Sequence, residues 1–202
     1  MNFIIGDGEI NILHMNSLDY ERWCDNYINN QQWLSIFNKG FERLKKLQRI
    51  EDFKEFNFDL VMTNPPFAGD IKESRLIHNY ELGFNEKGKP HHKIGRDILF
   101  IERNLSFLKS GGRMAIVLPQ GRFNNISDKK IRELIAEKAR ILAVVGIHEN
   151  TFKPHIGTKT SVLFIQKWDD KLCPKKDDYP IFFAVSEKGG KDNSGKYVYV
   201  KN

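Results

Sequence analysis

The sequence predicts an α/β fold built on a parallel sheet whose last strand runs antiparallel. Three observations carry that prediction. Phe58–Thr63, Met114–Leu118 and Ile141–Ile147 are near-continuous apolar runs of strand length, without the polar alternation of a half-solvated strand. Segments with apolar residues at three- and four-residue steps separate them, as in amphipathic helices. The resulting order, strand–helix–strand–helix–strand, is that of a parallel sheet covered by helices on both faces. In such sheets ligands collect at the carboxyl ends of the strands.

Taken in order, Ile10–Met15 reads as a short strand ending at Asn16-Ser17-Leu18. Residues 20–56 read as helix in two pieces, broken near Asn29-Asn30. The second piece carries Leu34, Phe37, Phe41, Leu44 and Leu47 on one stripe. Phe58–Thr63 is the first buried strand. Residues 68–95 are polar and hold Gly69, Gly83, Gly88, Pro90 and Gly95, so they read as a long loop of the length that compact domains reserve for function or disorder. A helix is expected over Arg96–Lys109, with Ile98, Ile101, Leu105 and Leu108 inward and Gly111-Gly112 ending it. Pro119 closes the strand at Met114–Leu118. Ser127 is the expected cap of a helix from Asp128 to about Lys138, with Ile131, Leu134 and Ile135 as its stripe.

Thr160–Gln166 follows Ile147 after a helix-free loop rich in Lys, His, Thr and Gly, and is therefore expected to lie antiparallel to its neighbour. From residue 169 the pattern changes. Pro174, Lys175, Lys176 and Asp177 read as a linker, followed by short apolar stretches at Ile181–Val185 and Tyr197–Val200. The expected division is a main domain over 1–168 and, over 169–202, a linker with the start of a β-rich extension.

A chain of 202 residues with 40% hydrophobic content can bury the core of one α/β domain. The net charge of +6, from 32 basic and 26 acidic residues, favours a polyanionic partner. Cys24 and Cys173 match no zinc spacing, and His91-His92 sits in a Lys- and Gly-rich loop, so no metal site is expected. No apolar run approaches the ~20 residues that span a bilayer. The N-terminus lacks a secretory signal's pattern, and a cytoplasmic protein is expected.

Asn64-Pro65-Pro66-Phe67 follows directly on the Phe58–Thr63 strand. Asn-Pro marks ordinary turns as well, but this set also suits one chemical task. The Asn64 side-chain oxygen is an acceptor with two lone pairs. Proline has no N–H and a fixed φ, so the backbone here is stiff, and Asn64, preceding a proline, is pushed out of the helical region. Phe67 offers a face on which a planar ring stacks. The Asn64 oxygen and the Pro65 carbonyl can each take one hydrogen of an exocyclic amine and turn its lone pair toward a methyl donor. Such preorganised acceptors, aimed at developing positive charge, are an electrostatic mode of catalysis, with alignment supplying the remainder.

At these residues the chain resembles the adenine-specific DNA methyltransferases that serve as modification subunits of type I restriction–modification systems. The segments that carry the resemblance are Phe58 to Phe67, Arg96-Asp97-Ile98-Leu99-Phe100, Leu108 to Pro119, Thr151-Phe152-Lys153, Gly157 to Phe164, and Pro180-Ile181-Phe182-Phe183. The resemblance implies a Rossmann-like, S-adenosylmethionine-dependent methyltransferase sheet. It also implies methyl transfer from S-adenosylmethionine to the exocyclic amine of an adenine flipped out of duplex DNA. Asn64, Pro65, Pro66 and Phe67 would be catalytic, with Phe152 facing Phe67 across the base. Asn16, Ser17 and Leu18 would lie against the cofactor, and the specificity and restriction subunits of such a system would be partners.

Two departures shape the expectation. Gly6-Asp7-Gly8 is the only stretch resembling the family's Gly-rich cofactor loop. The family also has a Gly-Asp-Gly at the end of a later helix, just before the strand that ends at the position of Asn16, and the second alignment is preferred. It makes the sheet N-terminally incomplete, so that Phe58–Thr63 either pairs with Ile10–Met15 or is left as an edge, and the chain alone binds cofactor poorly or not at all. In addition, Asn16 stands where the family usually has an acid. Two other functions stay open: a non-catalytic remnant that binds DNA or partner subunits, and a methyltransferase acting on a protein glutamine or an RNA base.

Overall fold

A computed structural model describes residues 16–23 and 42–199. The expected cofactor loop at Gly6-Asp7-Gly8, the strand at Ile10–Met15 and most of the helical stripe from Leu34 lie outside the described residues. The chain divides into two compact units, Met1–Asn57 and Phe58–Asn202. In the first, Tyr20–Arg22 form a single 3₁₀ turn and residues 42–48 are helical. Trp23 packs its ring against Phe53 and Phe56, at 5.2 and 5.9 Å between centroids, and the Lys45 ammonium lies 5.1 Å above the Phe53 ring.

The second unit is built on a five-stranded sheet. Its strands are β1 (Phe58–Thr63), β4 (Leu108–Pro119), β5 (Ala139–Gly146), β6 (Thr160–Lys167) and β7 (Phe182–Val185), and their order across the sheet is β1-β4-β6-β5-β7. β1 pairs parallel with β4, and β5 parallel with β7, while β6 is antiparallel to both β4 and β5. Four strands therefore run one way and β6 the other, as the helix-free connection to Thr160 predicts. Residues 182–185 lie across the expected boundary at 168/169: they add a strand to this same sheet. Parallel pairing with β5 gives the apolar run Phe182–Val185 backbone partners that a separate extension would lack.

Residues 68–95, expected as irregular loop, contain ordered elements. Here β2 (Asp70–Ile71) pairs antiparallel with β3 (Ile94–Gly95) and clips the two ends of the segment together. Between them lie α1 (Ser74–His78) and a 3₁₀ turn at Glu81–Gly83, which bury Leu76, Ile77 and Leu82. α2 (Arg96–Phe107) leads directly into β4. The helix stops two residues earlier than expected, because Leu108 already has extended dihedrals and pairs with Phe58. Gly111, with φ of +74°, serves a bulge: the pairing jumps from Phe58–Leu108 to Leu60–Arg113, and the intervening residues need a left-handed position that glycine adopts without strain.

α3 (Gly121–Asn124) and α4 (Lys129–Lys138) follow β4. One core joins Val61, Met114, Ile116, Leu118, Leu163 and Ile165 on the sheet to Ile101 and Leu105 of α2 and to Ile131, Leu134 and Ile135 of α4. Both long helices thus pack on one face of the sheet. The opposite face carries Leu60, Met62 and Phe164, all exposed. A continuous apolar run says that a strand avoids water, but it does not say what covers it. Lys167 Nζ donates to the Leu108 carbonyl at 2.8 Å, and the Trp168 indole donates to the Ala136 carbonyl at 3.0 Å. These side chains occupy carbonyls that the ends of α2 and α4 leave open.

Candidate active site

β1 ends at Thr63, beside Ile116 of β4. The two prolines that follow cannot donate to a neighbour, so the ladder stops and residues 64–67 take no regular structure. Pro65 is buried and anchors the turn, Asn64 and Pro66 are exposed, and Phe67 is half-buried. Among the described residues the Asn64 side-chain amide has no hydrogen-bond partner and the Pro65 carbonyl accepts no hydrogen bond. Two acceptors are therefore held at a strand end with their bonding capacity unspent.

Just beyond, Gly69 has φ of +100°, and its carbonyl accepts from the Arg96 backbone N–H at 3.0 Å. The Arg96 guanidinium lies over this glycine, close enough that a Cβ at position 69 would stand 3.2 Å from Nη2. Arg96 makes no side-chain hydrogen bond or ion pair among the described residues, which leaves a cation at the lip of the loop.

The loop after β5 brings Phe152 to the same edge of the sheet. Its turns are closed by Thr151 N–H to the His148 carbonyl at 3.0 Å and Ile156 N–H to the Phe152 carbonyl at 3.1 Å. The Phe152 ring stands edge-on to Phe67, with centroids 5.9 Å apart and planes at 81°. The two aromatic residues named from the sequence are thus in contact. Their geometry is that of a pair closed on itself. Stacked bases lie 3.4 Å apart, so two rings flanking one base stand about 7 Å apart and parallel. A base reaches the Phe67 face only when the Phe152 ring turns aside.

Asn16, Ser17 and Leu18 belong to the first unit. The Leu18 N–H donates to Asn16 Oδ1 at 3.2 Å, the Trp23 indole donates to the Asn16 carbonyl at 2.9 Å, and Leu18 is buried. The Asn16 side-chain oxygen keeps one lone pair and is exposed. The residues present fit the adenine of S-adenosylmethionine to the extent of that single bond.

One cluster at this edge escaped the sequence reading. Arg122 of α3 donates from Nε and Nη2 to the two oxygens of Asp97, at 2.7 and 3.1 Å, and from Nη1 to Asp128 at 3.1 Å. Asp97 is almost wholly buried. Burial pushes the Arg122 guanidinium down, but the hydrogen bond and charge of Asp97, followed by those of Asp128, outweigh it and raise its pKa. The triad ties the start of α2 to α3 and to the turn before α4. It also corrects the expected cap: Asp128, not Ser127, precedes α4, and its carboxylate faces Arg122 instead of the helix N–H groups. The partners of Arg122 lie 25 and 6 residues away, a spacing with no local signature.

No helix among the described residues is long and apolar enough to cross a membrane. The family model for N-6 DNA methylase matches residues 1–198. The EcoEI methylase subunit of a type I restriction enzyme from Escherichia coli is 31% identical over 110 residues, which is 54% of this chain and 21% of that subunit. The match therefore spans about a fifth of that relative's length. Among solved structures, the type I restriction-modification methyltransferase subunit from Streptococcus thermophilus superposes with a TM-score of 0.53 at 25% identity, covering 71% of this chain and 29% of that one. A class I S-adenosylmethionine-dependent methyltransferase from Listeria monocytogenes, itself described as putative, shares the fold with a TM-score of 0.55 at 20% identity, covering 80% of this chain and 48% of that one. The chain thus belongs to the N-6 DNA methylase family.

Proposed function

We propose that this chain carries the amine-holding part of a type I modification subunit that methylates N6 of adenine in duplex DNA. In this reading its partners are the specificity and restriction subunits, and its methyl donor is S-adenosylmethionine. One observation carries the reading: among the described residues the Asn64 side-chain oxygen and the Pro65 carbonyl stand unbonded at the carboxyl end of β1, beside the Phe67–Phe152 pair. The flipped adenine stacks on Phe67 and presents its amino group to the two oxygens. Each accepts one N–H, so the nitrogen becomes pyramidal and its lone pair points away from the protein acceptors. S-adenosylmethionine, when bound, supplies the electrophilic methyl group. Residues 64 and 65 favour the developing positive charge on nitrogen without moving to do so. The net charge of +6 and the uncommitted Arg96 suit a phosphate backbone.

The test mixes the chain with tritiated S-adenosylmethionine and unmethylated duplex DNA, and measures cofactor binding separately by calorimetry. Label in DNA, lost in Asn64→Ala, supports the proposal. Label in protein indicates a protein amide substrate. DNA binding without transfer of label indicates a binding module.

A further inference from the structure

We propose that Lys191 is a positioning residue for the active-site aromatic pair: its ammonium holds the two carbonyls that bracket Phe152 and so sets that ring against Phe67. The inference deepens the reading of the Asn64 site and, for its effect on a nucleobase, rests on it. Lys191 Nζ donates to the Thr151 carbonyl at 3.1 Å and to the Lys153 carbonyl at 2.9 Å. These are the residues immediately before and after Phe152. An ammonium has three donors, and the Lys191 nitrogen also lies 5.2 Å from the centre of the Tyr197 ring, within range of a cation–π attraction. The loop has no strand or helix of its own; beside its backbone turns, these two charge-assisted bonds hold the carbonyls on either side of Phe152 from outside the loop.

Lys191 is itself held. It opens a turn whose other side is Tyr197, through a bridge between those residues and the Val198 N–H to Gly190 carbonyl bond at 3.0 Å. The buried Asn150 returns the contact from the loop side, donating from Nδ2 to the Lys191 carbonyl and to Asn193 Oδ1, both at 3.1 Å. Gly195, with φ of +87°, lies so close to Pro154 that an added Cβ would stand 2.6 Å from the proline nitrogen. The turn at 190–198 is therefore fitted against the loop at 150–154, which is chain-distant from it and carries one half of the aromatic pair. The link also gives Phe152 a defined way to yield to a base. The ring can turn about its own χ angles while the peptide planes beside it stay clamped.

The experiment compares the full chain with Lys191→Met, which keeps the aliphatic stem and removes every donor, and with Lys191→Arg, which keeps donors and charge. A fluorine-labelled phenylalanine at position 152 reports the contact with Phe67, and Phe67→Ala supplies the resonance of the ring without that contact. The expected result is that Lys191→Met moves the resonance to the Phe67→Ala position while Lys191→Arg leaves it near the wild type. Amide exchange over 150–157 is expected to quicken about tenfold or more in Lys191→Met, the equivalent of one hydrogen bond to a charged group. With a duplex carrying 2-aminopurine at a mismatch, the same variant is expected to lose most of the fluorescence rise of the extruded base while its half-saturation concentration changes less than about threefold. An unshifted resonance in a folded Lys191→Met overturns the proposal, and so does a shifted resonance with undiminished base extrusion. If the wild type itself extrudes no base, the base-capture reading of the site fails, and the fluorine resonance alone decides the role of Lys191.

Discussion

Asn64 is exposed and makes no side-chain bond among the described residues, so replacing it separates chemistry from folding. Asn64→Ala is expected to lower the methylation kcat by about 10²–10³, the usual effect of deleting one preorganised group facing developing charge. Its unfolding free energy should stay within roughly 0.5 kcal/mol of the wild type. Single-turnover transfer and urea denaturation measure the two. Arg122 behaves in the opposite manner. Arg122→Met leaves the buried Asp97 without its fork of donors and is expected to cost roughly 3–5 kcal/mol, visible as a lower thermal midpoint at any DNA concentration. Asn64 could be named as a candidate from its neighbours in sequence alone. Arg122 could not, because a fork between Asp97 and Asp128 exists only after β4 and α2 have packed.

At the scale of elements, local chemistry named the strands and misjudged their ends. The glycines at 111 and 112 look like a helix terminus, yet they serve a strand bulge, because pairing of Leu108 with Phe58 outweighs one further helical turn. The segment 68–95 looks featureless because its order depends on partners elsewhere. Glu102 of α2 accepts the Glu81 and Leu82 N–H groups at 2.8 and 2.9 Å and so caps the 3₁₀ turn. Burial raises its pKa above the ordinary 4.5 in spite of those two bonds. The folded chain therefore holds this proton more tightly than the unfolded chain does. Between 4.5 and the raised value the folded state binds more protons, so stability falls as pH climbs through that window. Urea midpoints measured on a pH series should show this decline, and Glu102→Gln should flatten it.

At the scale of the molecule, β1 is an outer strand among the described residues, and Leu60 and Met62 on it are about 60% exposed. An unpaired edge with apolar side chains is a template for association. The chain is expected to show concentration-dependent self-association in sedimentation velocity. Leu60→Lys with Met62→Lys should weaken it by at least about tenfold, since each buried side chain contributes about 25 cal/mol per Å² of apolar surface removed from water. A monodisperse wild type across the accessible concentration range would refute this.

The sequence alone determined the α/β class, the antiparallel β6, the strand-end tetrapeptide and both aromatic residues. The class and the tetrapeptide follow from side-chain periodicity and backbone restrictions over a few residues, the antiparallel β6 from the helix-free loop before it, and Phe152 from the family resemblance. Tertiary structure decided that Phe182–Val185 joins the sheet, that α2 and α4 share one of its faces, and that Phe67 and Phe152 meet edge-on with Lys191 behind them. Those features depend on which long loop closes against which, and the free energy of such closure belongs to pairs of segments that are strangers in sequence.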